Sequence, residues 1–121
     1  MEPHPDIRTQ LSTAGLFGAF KNQLAKDVEQ SNCPADFVAL LKPDYNSILE
    51  KISNELQRNE KRSDFNVMQL LYRVDISEAQ LKRYLNEAKN ESHYNVIAEL
   101  IIKRVLQKVV TRQLYKSKEN F

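Results

Sequence analysis

The sequence predicts an all-α fold, a compact bundle of five or six short-to-medium helices around a long C-terminal helix. Only two glycines occur in its 121 residues, whereas folds built on sheets use more glycine in their turns. Leu, Lys, Glu, Gln, Arg and Ala, which favour helices, are plentiful. Apolar side chains also recur at intervals of three and four along five stretches, which is the spacing of one helix face.

Prolines divide the first third of the chain. Residues 1–14 contain two prolines and few large apolar groups, so we expect a flexible N-terminal arm there. The amphipathic stretch that follows should end near Pro34, because proline disfavours helical geometry in the residue before it. Pro34 also suits the first turn of a short helix over residues 34–41, which Pro43 ends.

Two helices are predicted in the middle of the chain. Asp44 is a good N-cap for the clearest amphipathic helix of the first half. Its apolar stripe consists of Tyr45, Ile48, Leu49, Ile52 and Leu56. Ser63 or Asp64 is expected to cap the helix after it. The inward side chains of that second helix are expected to be Phe65, Met68, Leu71 and Tyr72.

The next helix begins with a recognisable local signal. Ser77, with Gln80 three residues later, forms a capping-box pattern. The residues that follow place four apolar side chains on one helix face: Leu81, Tyr84, Leu85 and Ala88. A short polar stretch then separates this helix from the last one.

The final helix is expected over residues 92–116, with its first half enclosed. At 100° per residue, the apolar side chains of residues 96–102 surround the helix axis, and a helix that is apolar on all sides is buried on all sides. Glu99 lies within that part, so we expect a paired carboxylate or one at the rim. Residues 15–116 should therefore form one all-helical domain, followed by a polar tail over residues 117–121.

The second half of this helix carries a basic stripe. Arg104, Lys108 and Arg112 lie opposite an apolar sector, and six cations with no anion occur from Lys103 to Lys118. The net charge of the whole chain is only +2, so no strong overall field indicates a nucleic-acid or membrane partner. A solvated face that favours the helix dipole explains the stripe, and contact with a partner is the alternative.

The sequence lacks the residue patterns of the common catalytic and metal sites. Cys33 is the only cysteine, and His4 and His93 share no ligand spacing. We therefore expect no enzyme activity, no metal and no cofactor. The first residues do not have the basic and apolar regions of a signal peptide. No apolar run reaches the ~18 residues of a membrane span. A cytoplasmic protein without membrane contact is expected.

Residues 70–85 resemble the helix-turn-helix motif of DNA-binding proteins. The apolar positions of that motif are matched by Leu70, Val74, Ile76, Leu81 and Tyr84. Ser77 stands where the recognition helix begins. The resemblance implies that Lys82 and Arg83 face a major groove.

The same stretch departs from the motif in its turn, its helix crossing and its charge. The tight turn usually has glycine, and here Asp75 stands, which tolerates the left-handed conformation less well. Leu71 occupies the position of the small residue, usually Ala, that lets the two helices cross closely. Glu78 and Glu87 put negative charge on the recognition helix, which DNA phosphates oppose. Two capped helices in any α-bundle give nearly the same pattern.

The sequence therefore leaves two functions open. The first is a non-catalytic helical interaction or structural module that acts alone, as a homodimer or docked on a larger protein. The second is a helix-turn-helix DNA-binding regulator that uses residues 70–88. The residues expected to contact a partner or nucleic acid are Lys82, Arg83, Arg104, Lys108 and Arg112. In a homodimer, Lys103 and Arg104 would meet acidic residues of the other chain, such as Glu55 or Glu60.

Overall fold

The computed structural model of the chain describes residues 5–62, 65–88 and 92–119. Within these ranges the chain forms six α-helices, one 3-10 helix and no strand. In order, they are α1 (Pro5–Ser12), α2 (Ala14–Glu29), the 3-10 helix (Asp36–Leu40), α3 (Tyr45–Asn59), α4 (Val67–Arg73), α5 (Glu78–Glu87) and α6 (His93–Glu119). The predicted all-α bundle with a long C-terminal helix is confirmed.

Helix α6 lies at the centre of the bundle. It packs most extensively on α3 and α2, and it also contacts α5. Five of the seven residues from 96 to 102 are at most 1% exposed, namely Val96, Ala98, Leu100, Ile101 and Ile102. Ile97 is half-buried against the same core. The predicted burial of residues 96–102 is therefore confirmed, with Ile97 partly open to solvent.

The chain's own helices cover this central segment. Glu99 is 3% exposed, and Lys103 Nζ lies 3.1 Å from its Oε1. The expectation of a paired carboxylate is thus confirmed. Because residues 96–102 are already enclosed within one chain, no second copy is needed to cover them. This removes one reason for expecting a homodimer through α6, and the homodimer itself stays a prediction.

The N-terminal segment differs from the prediction. The sequence predicts a flexible arm over residues 1–14, but residues 5–12 form helix α1, and residues 1–4 lie outside the described residues. Leu11 is fully buried, and Ile7, one turn earlier, packs against the core. Two apolar side chains at this spacing hold a short helix, because tertiary packing rather than intrinsic propensity stabilises most helices.

Two of the predicted N-caps are correct. The Asp44 side chain accepts a hydrogen bond of 2.9 Å from the Ser47 N–H at the start of α3. The Ser77 hydroxyl oxygen accepts one of 3.1 Å from the Gln80 N–H at the start of α5. Each bond satisfies a backbone donor that has no partner within the helix.

Helix α4 begins later than predicted. Its N-cap is Asn66, whose side chain accepts a 2.9 Å hydrogen bond from the backbone N–H two residues on. Ser63 and Asp64, the predicted caps, lie outside the described residues. Phe65 and Leu70 are both in the core, one on each side of the cap. An apolar pair at these positions fixes how the chain enters a helix, which explains the later start.

The orientation of α4 also corrects the prediction. Phe65 and Leu71 face inward as expected, but Met68 is 39% exposed and Tyr72 is 81% exposed. The inward stripe of α4 and the turn after it instead consists of Leu70, Leu71 and Val74. Apolar residues occur on both sides of this short helix, and only one side can face the core.

The ends of two other elements are shifted. The predicted short helix over residues 34–41 is a 3-10 helix, Asp36–Leu40. Helix α6 runs to Glu119, so residues 117–119 of the predicted polar tail are helical, and residues 120–121 lie outside the described residues. No proline or glycine occurs in the second half of α6 to end it earlier.

Two helices end in the same kind of turn. Asn32 after α2 and Asp75 after α4 both have a φ of 64°, in the left-handed region that favours glycine. In each turn the following residue donates its N–H to a carbonyl five residues earlier, Cys33 to Val28 at 2.9 Å and Ile76 to Leu71 at 2.8 Å. This hydrogen-bond pattern is the Schellman motif. The second turn sets the direction in which α5 leaves α4.

Candidate functional site

The stretch from α4 to α5 shows the apolar positions, the turn and the cap that the helix-turn-helix resemblance implies. Three residues at the apolar positions of the motif are at most 5% exposed, namely Leu70, Val74 and Ile76. The other two, Leu81 and Tyr84, are half-buried. Asp75 adopts the left-handed conformation of the tight turn, and Ser77 caps α5. Leu71 is buried, so a large side chain fills the position of the usual small one.

Helix α5 is held only by half-buried side chains. None of its ten residues is fully buried. Lys82 and Arg83, two of the predicted contact residues, are exposed on it. Glu78 and Glu87 are exposed on the same helix. The two carboxylates offset the two cations, which weakens the attraction of this helix for a phosphate backbone.

Lys108 ties α6 to three other parts of the bundle. Its Nζ donates a 2.8 Å hydrogen bond to the carbonyl oxygen of Arg73 at the end of α4. The same Nζ lies 3.8 Å from Asp27 Oδ2 on α2 and 4.0 Å from Asp75 Oδ2 in the turn before α5. A cation at the C-terminal end of a helix also interacts favourably with the helix dipole. The ammonium group of Lys108 is therefore engaged within its own chain.

The other two predicted cations of α6 also contact their own chain. Arg104 Nη2 lies 3.9 Å from Asp75 Oδ2, and Arg104 Nη1 donates a hydrogen bond to the Gln107 side chain. Arg112 Nη2 donates a 2.8 Å hydrogen bond to Gln23 Oε1 on α2. The structure thus divides the five predicted contact residues into two groups. Three reach α2, the α4–α5 turn or a neighbour on α6, and two are exposed on α5.

Asp27 is the residue of this region that the sequence interpretation missed. It is only 3% exposed. Its Oδ1 accepts a 3.1 Å hydrogen bond from Gln23 Nε2, whereas its Oδ2 accepts none from the described residues. Burial raises the pKa of the Asp27 carboxyl above its usual value, and the nearby Lys108 charge opposes that rise.

A sequence signal for Asp27 does exist. On α2 it lies three residues after Leu24 and seven after Phe20, both fully buried. Those intervals return to the same face of a helix, so the carboxyl group lies on the apolar side. A carboxylate on that side needs a cationic or hydrogen-bonding partner from another element.

A cavity of about 520 Å³, here called the turn cavity, lies between the end of α2 and the α4–α5 turn. It is lined chiefly by Asp27, Tyr72, Arg73, Asp75, Ile76 and Ser77. Arg73 Nη1 donates a 3.0 Å hydrogen bond to Gln30 Oε1, which also lines the cavity. The cavity therefore combines two carboxylates, one guanidinium and one exposed aromatic ring.

A second cavity, of about 460 Å³, lies between the end of α3 and the start of α6. Its apolar lining comes from Leu56, Phe65, Val67 and Ile97. The Tyr94 hydroxyl donates a hydrogen bond to the Glu60 carboxylate at this site, and His93 is exposed beside them. None of the five predicted contact residues lines it.

The remaining reactive groups do not converge. Cys33 is 4% exposed, and burial, with a smaller effect from the Glu55 charge, raises the pKa of its thiol to about 11. A thiol with this pKa is a poor nucleophile at neutral pH. Within the described ranges, no three His, Cys, Asp or Glu side chains are placed to hold a metal ion. No helix in the same ranges has the length and apolar character needed to cross a membrane.

The chain matches no known protein family, no curated protein and no solved structure.

Proposed function

We propose that the chain is a non-catalytic helical interaction module that binds a protein partner through one surface of α4 and α5. This α4–α5 surface consists of five exposed residues, Met68, Tyr72, Arg73, Lys82 and Arg83. The 81% exposure of Tyr72 carries the proposal. A large aromatic side chain that remains in water in one chain is the kind of residue that anchors a protein interface.

The composition of the α4–α5 surface supports a protein partner. Two large apolar side chains that are exposed, Tyr72 and Met68, lie one turn apart on α4. Single exposed apolar residues are ordinary, but two on a seven-residue helix form a patch. Tyrosine, methionine and arginine are the residues enriched in protein interfaces, with polar residues at the rim.

Affinity capture from an extract of the cells that produce the chain tests this proposal. The wild type, Tyr72→Ala and Leu40→Ala are immobilised, and the retained proteins are quantified by mass spectrometry. Leu40 is 67% exposed on the 3-10 helix, so its variant loses a large apolar side chain from a different element. We expect a protein that the wild type and Leu40→Ala retain equally and that Tyr72→Ala loses.

Two results would contradict the proposal. One is the recovery of the same proteins in the same amounts by all three forms. The other is the absence of any protein above the level retained by resin without the chain.

Duplex DNA is the second candidate partner. One observation favours it: the turn at Asp75 is left-handed and Ser77 caps α5, as the motif requires, and Lys82 and Arg83 are exposed on α5. The acidic residues on α5 weigh against it. A protein partner is therefore the proposal that the charges support better.

Fluorescence anisotropy with labelled random duplex DNA across a salt series tests this second candidate. If Lys82 and Arg83 each contact a phosphate, the logarithm of the binding constant falls with that of the salt concentration with a slope of about −2. Lys82→Ala with Arg83→Ala should abolish this dependence. Lys42→Ala with Lys61→Ala, which removes two other exposed cations, should retain it. No binding at the lowest salt would remove DNA as a candidate.

A further inference from the structure

The turn cavity opens beside Tyr72 and Arg73 of the α4–α5 surface. We propose that this cavity binds the guanidinium group of an arginine side chain from the partner protein. The proposal rests on the proposed function, because it takes the partner to be a protein that covers the α4–α5 surface.

Asp27 provides the first acceptor. Its carboxylate lines the cavity, and its Oδ2 is enclosed without a hydrogen bond from the described residues. Lys108 Nζ is 3.8 Å from that oxygen, whereas a charge-assisted N–H···O bond is about 2.7–2.9 Å long. The Lys108 ion pair therefore neutralises the Asp27 charge without satisfying its oxygen. A second donor that enters from the cavity would satisfy it.

Asp75 provides the second acceptor. Its side chain is 64% exposed, and its Oδ2 is 3.9 Å from Arg104 Nη2 and 4.0 Å from Lys108 Nζ. These distances are also longer than those of direct charge-assisted hydrogen bonds. Two carboxylates with unused acceptor positions thus border one cavity. The planar guanidinium group, with five N–H donors, suits two acceptors better than an ammonium group does.

Two further features favour a cation. The C-terminal ends of α2 and α4 both lie at this cavity, and the carbonyl groups at such ends carry partial negative charge. The exposed Tyr72 ring at the cavity can stack on a guanidinium plane. The volume of about 520 Å³ lies within the range of about 300–1,000 Å³ that is typical of ligand pockets.

The resident cations do not turn the cavity into an anion site. Arg73 is the only cation among the residues that line it, and Arg73 is bonded to Gln30 Oε1 at 3.0 Å. A phosphate or carboxylate placed there would face both Asp27 and Asp75. Lys108 and Arg104, which pair with these two carboxylates, do not themselves line the cavity.

A pair of small probes tests the cavity without a partner protein. Nα-acetyl-arginine-N-methylamide carries the guanidinium group, and the citrulline analogue has nearly the same shape without the charge. Each is titrated into the full chain, and the amide resonances of Ile76 and Ser77, which line the cavity, are followed by NMR. We expect saturable shifts with the arginine probe and binding about tenfold or more weaker with the citrulline probe, because hydrogen bonds to charged groups contribute more than neutral ones.

Variants of the chain complete the test. Asp27→Asn keeps the size of the side chain and should weaken arginine binding about tenfold or more. Glu60→Gln removes a carboxylate from the second cavity and should leave the binding unchanged. If circular dichroism shows that Asp27→Asn does not fold, Asp75→Asn replaces it as the decisive variant. Equal binding of the two probes overturns the proposal, and so does wild-type affinity in the folded Asp27 and Asp75 variants.

The affinity capture and the titration with the arginine probe can fail independently of each other. If capture depends on Tyr72 but the arginine probe does not bind, the cavity proposal is wrong and the α4–α5 surface still binds a protein. If the arginine probe binds as expected but no protein is captured, the cavity binds guanidinium and the partner assignment is wrong.

Discussion

Helices α5 and α6 both carry cations on the side away from their apolar residues, but the surroundings of the two sets differ. On α5, Lys82 and Arg83 are exposed. On α6, the cations reach side chains and a main-chain carbonyl of α2, α4 and the α4–α5 turn, as seen for Arg104, Lys108 and Arg112. The difference arises because α6 lies at the centre of the bundle, where even its polar side has neighbours.

A basic stripe on a helix therefore does not by itself indicate whether its cations bind a partner or contact their own chain. On a peripheral helix such as α5, the cations are exposed and can contact a partner. On a central helix such as α6, the same pattern of charge supplies ties between elements of one chain. The position of the helix in the bundle decides between them, and position depends on contacts between residues far apart in sequence.

The largest expected difference between α5 and α6 is in the free energy of unfolding that is lost when one apolar residue is truncated. Ile101 on α6 is fully buried, so Ile101→Ala should lower the free energy of unfolding by about 2–4 kcal/mol through the cavity that it leaves. Leu85 on α5 is half-buried, and Leu85→Ala should cost about 1 kcal/mol. Urea titration measures both. A loss below about half a kcal/mol at residue 101 would mean that α6 is not the centre of the core.

The next largest difference is in the stability that is lost when one lysine on each helix is replaced by methionine. Lys108→Met should destabilise the fold by about 2 kcal/mol, because it leaves the buried Asp27 without its ion-pair partner and removes the donor to the Arg73 carbonyl. Lys82→Met on α5 should change the stability by less than about 0.5 kcal/mol. Equal losses in urea titrations of the two variants would show that the α6 cations do not tie the bundle together.

A smaller effect should appear as a dependence on pH. Burial raises the pKa of Asp27 in the folded chain above 3.8, so the stability from its protonated form is present below pH 3.8 and is lost as the pH rises through the folded pKa. Asparagine does not titrate, so the Asp27→Asn variant does not lose stability in this way as the pH rises. The free energy of unfolding of the variant should therefore increase relative to the wild type between about pH 3 and pH 7.

Chemical unfolding of both forms across this range measures the change. Asp36→Asn, at an exposed position, is the control and should show no such trend relative to the wild type. A constant difference between Asp27→Asn and the wild type at every pH would mean that the Asp27 carboxyl does not titrate differently in the folded chain.

The smallest expected loss of stability on α6 is at Arg112, the most exposed of its three predicted contact residues. Arg112 contacts the Gln23 side chain through a hydrogen bond of 2.8 Å and is itself exposed. Arg112→Ala should therefore cost about 0.5 kcal/mol, less than Lys108→Met. Arg83→Ala on α5 should cost less still. Differential scanning fluorimetry ranks the variants, and a midpoint for Arg112→Ala below that of Lys108→Met would reverse the expected order along α6.

The features that were predictable from the sequence depend on short intervals. Asp44 and Ser77 cap helices through bonds to an N–H three residues on, so the pattern of the nearby residues is enough to find them. The enclosed segment 96–102 was predictable because it is apolar around the whole helix axis, which leaves no doubt about the inward side.

The features that were not predictable depend on which side of a helix meets the core. Met68 and Tyr72 face outward because Leu70 and Val74 take the inward side of α4 and its turn, and both sides carry apolar residues. The tie between Asp27 and Lys108 joins residues 81 positions apart. No local pattern specifies such a pair, although a carboxylate on the apolar side of α2 indicates that a partner must exist.

The central position of α6 also has a consequence for how the chain is made. Helices α2 and α3 contact α6 more extensively than they contact each other, yet a ribosome completes both of them before it begins α6. Their apolar sides, which carry Phe20, Leu24, Ile48 and Ile52, lack their most extensive packing partner until α6 emerges. The core therefore cannot be completed before α6 has been synthesised, and until then the exposed apolar side chains favour association of the growing chain.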